Sequence, residues 1–203
     1  MSDVKILIAF YSRDGSVEAM AREVAAGATD EGAEVRLRRA RDFVSEEVIR
    51  KVPSWGPNRD RMHAEYEGPT IEDAEWADGI AFGTPTRFGN VSSELKAYID
   101  SLSGIWLRGG LFDKAGAVFV STASPHGGNE TTSLTLYAPL AHLGFVIVPN
   151  GYGDPINFTA GTPYGSSHIA GQNTEPLTDA DKTVARLQGK RLTKVARALQ
   201  VLR

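Results

Sequence analysis

Apolar runs rich in β-branched and aromatic residues alternate along the chain with segments whose apolar residues recur at helical spacing. The first run, residues 4–11 (VKILIAFY), is nearly continuous and typical of a parallel strand buried on both faces. The next segment carries one helical stripe at Val17, Met20, Ala21, Val24, Ala25 and Ala28. The pattern predicts strands over 4–11, 33–37, 79–83, 115–121 and 145–149, and further helices over 91–102, 134–143 and 179–202.

This alternation of strands and helices implies right-handed crossovers and a parallel sheet, so the predicted class is α/β. Two segments fall outside the alternation. Residues 38–77 are polar and rich in proline and glycine, so we expect a short helix and irregular structure, with Trp55, Tyr66 and Trp76 as packing anchors. Residues 150–176 are too long for a plain connection and predict a functional segment or an oligomer contact.

Composition limits the possible classes of protein. With 203 residues and 41 % hydrophobic content, residues 1–203 can form one domain around a single core. The absence of cysteine excludes a disulfide framework, a thiolate nucleophile and a Cys-ligated cluster. A net charge of -3 argues against a general nucleic-acid binder. The start of the chain resembles no signal peptide and no apolar run has membrane-spanning length, so we expect a cytoplasmic protein without a membrane span.

Candidate chemistry lies in the loops that follow the predicted strands, where open α/β folds bind ligands. The first loop, residues 12–17 (SRDGSV), runs directly into a helix whose N–H groups could hold a phosphate together with the hydroxyls of Ser12 and Ser16. Helix capping alone would explain the same residues. No GxGxxG follows the first strand and no GxxxxGK[ST] occurs, which removes two other nucleotide-binding motifs.

Two further loops supply different groups. Residues 83–92 (GTPTRFGNVS) contain Arg87 and Phe88, which could lie against a planar conjugated ring. Residues 121–130 (STASPHGGNE) add hydroxyls and a glycine pair. Phosphate donors, a ring platform and a flexible wall at one sheet edge together indicate a mononucleotide with an aromatic ring system. His63 and His168 have no partner at metal-ligand spacing, so no metal site is predicted.

The chain resembles the WrbA family of flavodoxin-like NAD(P)H:quinone oxidoreductases (type IV). The motifs that carry the resemblance are GTPTRFGN (83–90), YSRDGSVEAMA (11–21), GTPYGSSHIAG (161–171), AHLGF (141–145) and ARLQG (185–189). It implies a three-layer flavodoxin-like fold with a five-stranded parallel sheet in the order 2-1-3-4-5 and helices on both faces. It also implies bound FMN, NADH or NADPH as donor, ping-pong two-electron reduction of quinones to hydroquinones, a homotetramer and a role in oxidative stress.

The resemblance also assigns roles by position. The cofactor-binding positions are Ser12, Arg13, Asp14, Gly15, Ser16, Val17, Thr84, Pro85, Thr86, Arg87, Phe88, Gly89, Asn90, Ser121, Thr122, Ala123, Ser124, Pro125, His126 and His142. Arg87 and His142 are the implied catalytic residues, and Trp106 and Asp14 the implied substrate and donor contacts, with Trp106 supplied by a neighbouring subunit. Asp14 departs from the aromatic residue common in relatives, and its charge would repel a dinucleotide phosphate. The loop around His126 departs from the family pattern.

The sequence is also compatible with three other functions. A single-electron carrier with the same fold would usually be shorter, monomeric and more acidic. A binding protein could keep the fold while its flavin is structural or lost. A flavin or azo-compound reductase would use the same residues, so the sequence does not separate it from a quinone reductase.

Overall fold

The computed structural model describes residues 4–203, so the first three residues of the expected 1–203 domain lie outside the described part. The strands are β1 (Val4–Phe10), β2 (Ala33–Arg39), β3 (Gly79–Pro85), β4 (Ala115–Thr122), β5 (Val146–Ile147) and β6 (Ser166–Ile169). The helices are α1 (Ser16–Asp30), α2 (Glu46–Arg50), α3 (Trp55–Glu65), α4 (Ile71–Trp76), α5 (Ser93–Ser101), α6 (Ser103–Leu107), α7 (Asn129–His142) and α8 (Asp179–Leu199). Short 3₁₀ turns cover Pro155–Phe158 and Gln200–Leu202.

The sheet is parallel throughout, and its order β2-β1-β3-β4-β5 confirms the predicted topology. The sheet contains one strand more than the five predicted, because β6 also pairs with β4. β5 pairs with Ala115 and Gly116 at the beginning of β4, whereas β6 pairs with residues 119–122 at its end. The fifth position of the sheet is therefore filled by two short strands, since the chain leaves this edge after β5 and returns to it at β6.

Helices cover both faces of the sheet, as the three-layer expectation requires. Along β1, Ile6, Ile8 and Phe10 belong to a core shared with α1 and α8. The alternate residues of the same strand, Leu7 and Ala9, belong to a second core shared with α4, α5 and α7. The continuous apolar run of β1 is thus explained by burial on both faces.

The segment between β2 and β3 contains more helix than predicted. Three helices, α2 to α4, replace the single short helix expected over 38–77. The start of α4 is stabilised by a capping box, which compensates for the weak periodicity of the segment. Thr70 accepts a hydrogen bond from the Asp73 amide, and the Asp73 carboxylate accepts one from the Thr70 amide. Trp55 and Tyr66 are buried, which confirms them as packing anchors.

Smaller differences concern the ends of elements. Trp106, expected in a loop, lies on the short helix α6 and is 47 % exposed. α7 begins at Asn129 rather than at residue 134, directly after Gly128 with a φ of 95°. Thr178 caps α8 as predicted. Within residues 4–203, no helix is both long enough and apolar enough to cross a membrane.

Candidate functional site

The carboxyl ends of β1, β3 and β4 are neighbours in the sheet, so the three loops singled out in the sequence meet at one edge. They surround a cavity of about 410 Å³, a volume in the usual range of small-ligand sites. The lining residues are Arg13, Asp14, Ser16, Pro85, Thr86, Arg87, Ser121, Thr122, Ala123, Ala170, Gly171, Gln172 and Thr174. Nine of the positions assigned by resemblance therefore share one cavity.

The first loop presents the amino terminus of α1 to this cavity. The Ser12 hydroxyl accepts a hydrogen bond from the Gly15 amide at 3.1 Å, which closes a tight turn. Gly15 has a φ of 101°, a left-handed conformation that residues with a Cβ adopt only under strain. α1 starts at the next residue, Ser16, which lines the cavity. A helix begun in this way offers unpaired N–H groups and a partial positive charge to an anion.

Asp14 and Arg13 form an ion pair inside the same loop. The Arg13 Nε donates to the Asp14 carboxylate at 2.8 Å, and both side chains line the cavity. The Arg13 guanidinium carbon also lies 5.5 Å from the centre of the Trp55 ring. An adjacent cation thus balances the Asp14 charge, which reduces the repulsion that this acid would exert on an incoming phosphate.

The second loop is a tight turn tied to β4. The Thr86 amide donates to the Ser121 carbonyl at 2.9 Å, and the hydroxyls of Thr86 and Thr132 are 2.7 Å apart. Arg87 and Asn90 exchange backbone hydrogen bonds of 2.8 and 3.1 Å.

The tip of this turn projects outward. Its two central residues, Phe88 and Gly89, have positive φ values of 54° and 76°. Phe88 is fully exposed and does not line the cavity, whereas Arg87 does. Asn90 is also exposed, so residues 88–90 form the rim of the site rather than its wall.

The third loop contributes its first half to the cavity. Ser121, Thr122 and Ala123 line it, whereas residues 124–126, which include His126, are exposed beyond it. The Thr122 hydroxyl donates to the Ser124 carbonyl at 2.9 Å and so holds the turn. His126 therefore lies outside the group of residues that meet in the cavity.

Three assigned positions, Ser12, Val17 and Thr84, are buried instead of open to the cavity. Thr84 is inaccessible, and its hydroxyl accepts a hydrogen bond from the Ser92 amide at 2.9 Å. Val17 is 2 % exposed and belongs to the core below α1. Thr84 thus links the end of β3 to the start of α5 through a hydrogen bond, and Val17 packs the first turn of α1 against the core.

A fourth wall was not assigned from the sequence. Ala170, Gly171, Gln172 and Thr174 follow β6 and line the same cavity as the first loop residues. This turn is held at its base by His168, whose Nδ1 lies 3.0 Å from the Asp181 carboxylate and whose Nε2 lies 2.9 Å from the Glu175 carbonyl. The motif GTPYGSSHIAG and the unusual length of 150–176 were the available signals, but neither indicated where this turn would lie.

His142 and Trp106 lie elsewhere in the chain. Both line a second cavity of about 500 Å³ together with Ile99, Pro139 and Leu143. α7 begins beside the first cavity and ends at His142, and a helix of 14 residues spans about 21 Å. These two residues are therefore at the opposite edge of the sheet, and one chain does not bring them to the loops.

The fold and the polar cavity at its strand ends define a flavodoxin-like flavoprotein. A WrbA-like flavodoxin from Agrobacterium tumefaciens superposes with a TM-score of 0.67 at 25 % identity, covering 97 % of this chain and 99 % of that one. Oxidised flavodoxin 1 from Bacillus cereus gives a TM-score of 0.60 at 19 % identity, covering 94 % and 97 % of the two chains.

Sequence comparison narrows this class to a family. Residues 3–153 match the family model described as NADPH-dependent FMN reductase. Proteins named NAD(P)H dehydrogenase (quinone) from Geobacter metallireducens and Deinococcus radiodurans are 39 % and 41 % identical to the chain. The alignments cover 97 % and 93 % of this chain and 100 % and 93 % of those proteins. The chain therefore belongs to the NADPH-dependent FMN reductase family and is related to these NAD(P)H dehydrogenases (quinone). This confirms the resemblance that its motifs carry.

Proposed function

We propose that the protein is an FMN-dependent NAD(P)H:quinone oxidoreductase. The observation that carries the proposal is the convergence of a helix amino terminus, several hydroxyls and two arginines on one cavity of about 410 Å³. The names of the family members support the donor and the acceptor. When bound, FMN would supply hydride acceptance from NAD(P)H and two-electron transfer to a quinone, giving the hydroquinone.

The chemistry of the cavity fits FMN. Ser16 and the first turn of α1 can donate to the phosphate, with the buried Ser12 shaping the loop behind them. Arg87 and the hydroxyl of Ser121 also line the cavity and could donate hydrogen bonds to the ring system. Arg87 donates to the Thr86 carbonyl at 3.1 Å, which orients its planar guanidinium beside the cavity.

Arg87 would act by charge. A guanidinium stays protonated at every physiological pH, so it can stabilise negative charge that develops beside it without donating a proton. Asp14, balanced by Arg13, would meet the nicotinamide donor at the same opening. No residue in this arrangement is required as a covalent nucleophile.

The oligomer forms part of the same proposal. His142 and Trp106 contribute to a site only if a neighbouring copy brings them to it, because they lie at the opposite edge of their own sheet. Their surroundings suit such a contact, since Trp106, Leu107 and Phe112 are 47 %, 77 % and 64 % exposed. We infer a homotetramer, acting in the cytoplasm, in which Trp106 would shape the quinone pocket and His142 would donate a hydrogen bond or proton.

Anaerobic stopped-flow spectroscopy tests the proposed cycle. The FMN-loaded protein should bleach on mixing with NADH or NADPH and regain its colour on mixing with benzoquinone. Arg87→Ala should lower kcat/KM for the quinone by about a hundredfold, as expected on removal of one preorganised donor. Arg50→Ala serves as the control, because Arg50 is exposed on α2 away from the cavity.

Each alternative has its own outcome in this experiment. Bleaching that quinone cannot reverse would contradict the cycle. A stable one-electron state on titration would favour an electron carrier, and a colourless protein that takes up no FMN would favour a binding protein. Faster turnover with free flavin or an azo dye than with benzoquinone would identify the protein as a flavin reductase or an azo-compound reductase.

A further inference from the structure

A buried arginine lies directly behind the phosphate-binding loop. Arg39, the last residue of β2, is 0 % exposed. Its Nε and Nη2 donate to the carbonyl of Ser12 at 3.2 and 2.8 Å. Its Nη2 also donates to the Asp42 carboxylate at 3.0 Å, and its Nη1 to the Ala40 carbonyl at 3.4 Å. Four hydrogen bonds thus fix the guanidinium between the ends of β1 and β2.

Asp42 holds Arg39 in this position. Its side chain is 3 % exposed, and it accepts hydrogen bonds from the Tyr11 hydroxyl at 2.8 Å and the Trp55 indole N–H at 2.9 Å. Burial alone would raise the pKa of Asp42, but the hydrogen bond from Tyr11 and the charge of Arg39 hold it below the usual range. The carboxylate is therefore ionised at neutral pH and pairs with Arg39.

The loop needs such a partner for a general reason. When successive backbone N–H groups converge on an anion, the carbonyls of the same loop point away from it and must be satisfied from behind. Arg39 meets this requirement for Ser12, while the Ser12 hydroxyl holds the Gly15 amide at 3.1 Å. The two contacts together determine the conformation through which the chain enters α1.

We propose that Arg39 is a positioning residue that preorganises the first loop for the phosphate of the flavin. The inference rests on the proposed FMN site, and it goes further by making affinity for the phosphate depend on a residue that does not touch it. Arg39 does not line the cavity, so any effect of its substitution on the ligand is indirect, and its direct hydrogen bonds to the first loop go to Ser12.

The same network extends to the donor side of the cavity. Trp55 is bonded to Asp42 through its indole N–H, and its ring carries the guanidinium of Arg13 at 5.5 Å. Arg13 in turn neutralises Asp14. Helix α3, where Trp55 lies, is therefore connected to the start of the first loop by two routes: through Asp42 and Arg39 to Ser12, and through the ring contact to Arg13.

The Kd values of FMN and of riboflavin for the apoprotein distinguish an effect on the conformation of the first loop from an effect on the stability of the whole protein. The two ligands differ only in the phosphate, so the ratio of the riboflavin Kd to the FMN Kd reports on the loop. Arg39→Lys keeps the charge but loses the fork that holds Ser12, and should reduce this ratio about tenfold, a typical effect of a lost hydrogen bond to a charged group. The riboflavin Kd should stay within about twofold of wild type, because its ring contacts are untouched.

Arg38→Lys is the matched control. Arg38 precedes Arg39 on β2 and likewise pairs with a buried carboxylate, donating to Asp73 at 2.9 Å, but within residues 4–203 no hydrogen bond or ion pair joins its side chain to the first loop. This variant should retain the wild-type ratio. Asp42→Glu moves the carboxylate by one methylene without a change in charge, so it should also reduce the ratio and serves as the test if Arg39→Lys does not fold.

The outcomes distinguish the inference from the proposed function. If wild type prefers FMN strongly and folded Arg39→Lys or Asp42→Glu keeps that preference, Arg39 has no positioning role. An equal reduction in Arg38→Lys would also overturn the inference, because the effect would then be general. If wild type itself does not distinguish FMN from riboflavin, the phosphate site of the proposed function is wrong as well.

Discussion

His168 shows how one buried side chain holds a wall of the site. It is 4 % exposed, and each ring nitrogen faces an acceptor, the Asp181 carboxylate and the Glu175 carbonyl. Only the protonated ring can donate to both. Burial alone would lower the pKa of His168, but the hydrogen bonds to Asp181 and Glu175 raise it above the ordinary value of 6.5.

A raised pKa in the folded state makes stability depend on pH in one direction. The contribution of His168 is fully present below pH 6.5, the unfolded value, and is lost as the pH rises through the higher folded value. In urea unfolding of the apoprotein between about pH 6 and about pH 9, His168→Gln should therefore destabilise most at the acidic end.

His126→Gln is the matched control, because it removes an imidazole that is exposed rather than buried. A stability difference between wild type and His168→Gln that grows towards pH 9 would contradict this assignment. Loss of the hydrogen bonds of His168 should also loosen residues 170–174, so the protection of their amides relative to the intrinsic exchange rate should fall as the pH rises.

The two long helices on one face of the sheet, α1 and α8, pack through a pair of glycines. A Cβ at Gly27 would lie 2.0 Å from the Arg186 carbonyl oxygen, and one at Gly189 would lie 2.0 Å from the Val24 carbonyl oxygen. Backbone thus meets backbone, and neither helix can accept a methyl group without moving. α1 also begins at the first loop, so displacement of this helix would move the site.

We therefore expect Gly27→Ala to destabilise the protein by about 2 kcal/mol, the usual cost of overpacking, despite the better helix propensity of alanine. Gly104→Ala on α6 is the control, since nothing lies within 4 Å of the added methyl. It should leave stability unchanged or raise it by up to about 1 kcal/mol. Chemical unfolding checks both, and equal stability of the two variants would contradict the close contact.

Residues assigned to the site lie at both edges of the sheet. The loops at the carboxyl edge form the polar cavity, whereas Trp106 and His142 border an apolar cavity at the amino edge. One chain cannot use both sets of residues in the same reaction. The proposed site would therefore be complete only if two copies of the chain associate.

Trp106→Arg tests the assembly. It places a charge on the apolar surface, so we expect smaller particles in size-exclusion chromatography, since an interface tryptophan typically contributes about 2 kcal/mol or more. Quinone turnover should fall, while the FMN Kd of each chain stays near wild type because the first cavity is unchanged.

Val201→Arg is the corresponding control, a change at an 85 % exposed residue near the carboxyl terminus. It should keep the size and turnover of the wild-type protein. A Trp106→Arg variant with unchanged size and full turnover would exclude the shared site.

Local pattern was sufficient for much of this architecture. The apolar run of β1 and the stripe of α1 were visible because near neighbours decide whether a segment suits a strand or a helix. The order of the strands came from the resemblance, and the structure confirms it. The composition of the loops at 12–17, 83–92 and 121–130 also indicates a polar ligand site from the sequence alone.

Contacts between distant segments required the folded chain. Arg39 binds Ser12, which lies 27 positions earlier in the chain. β6 pairs with β4 although the sequence of residues 166–169 has no pattern that predicts a strand. The turn after β6 becomes a wall of the cavity, and Trp106 and His142 go to the other edge. Periodicity records what each segment buries, whereas packing of the whole chain decides which segments meet, and so which residues form one site.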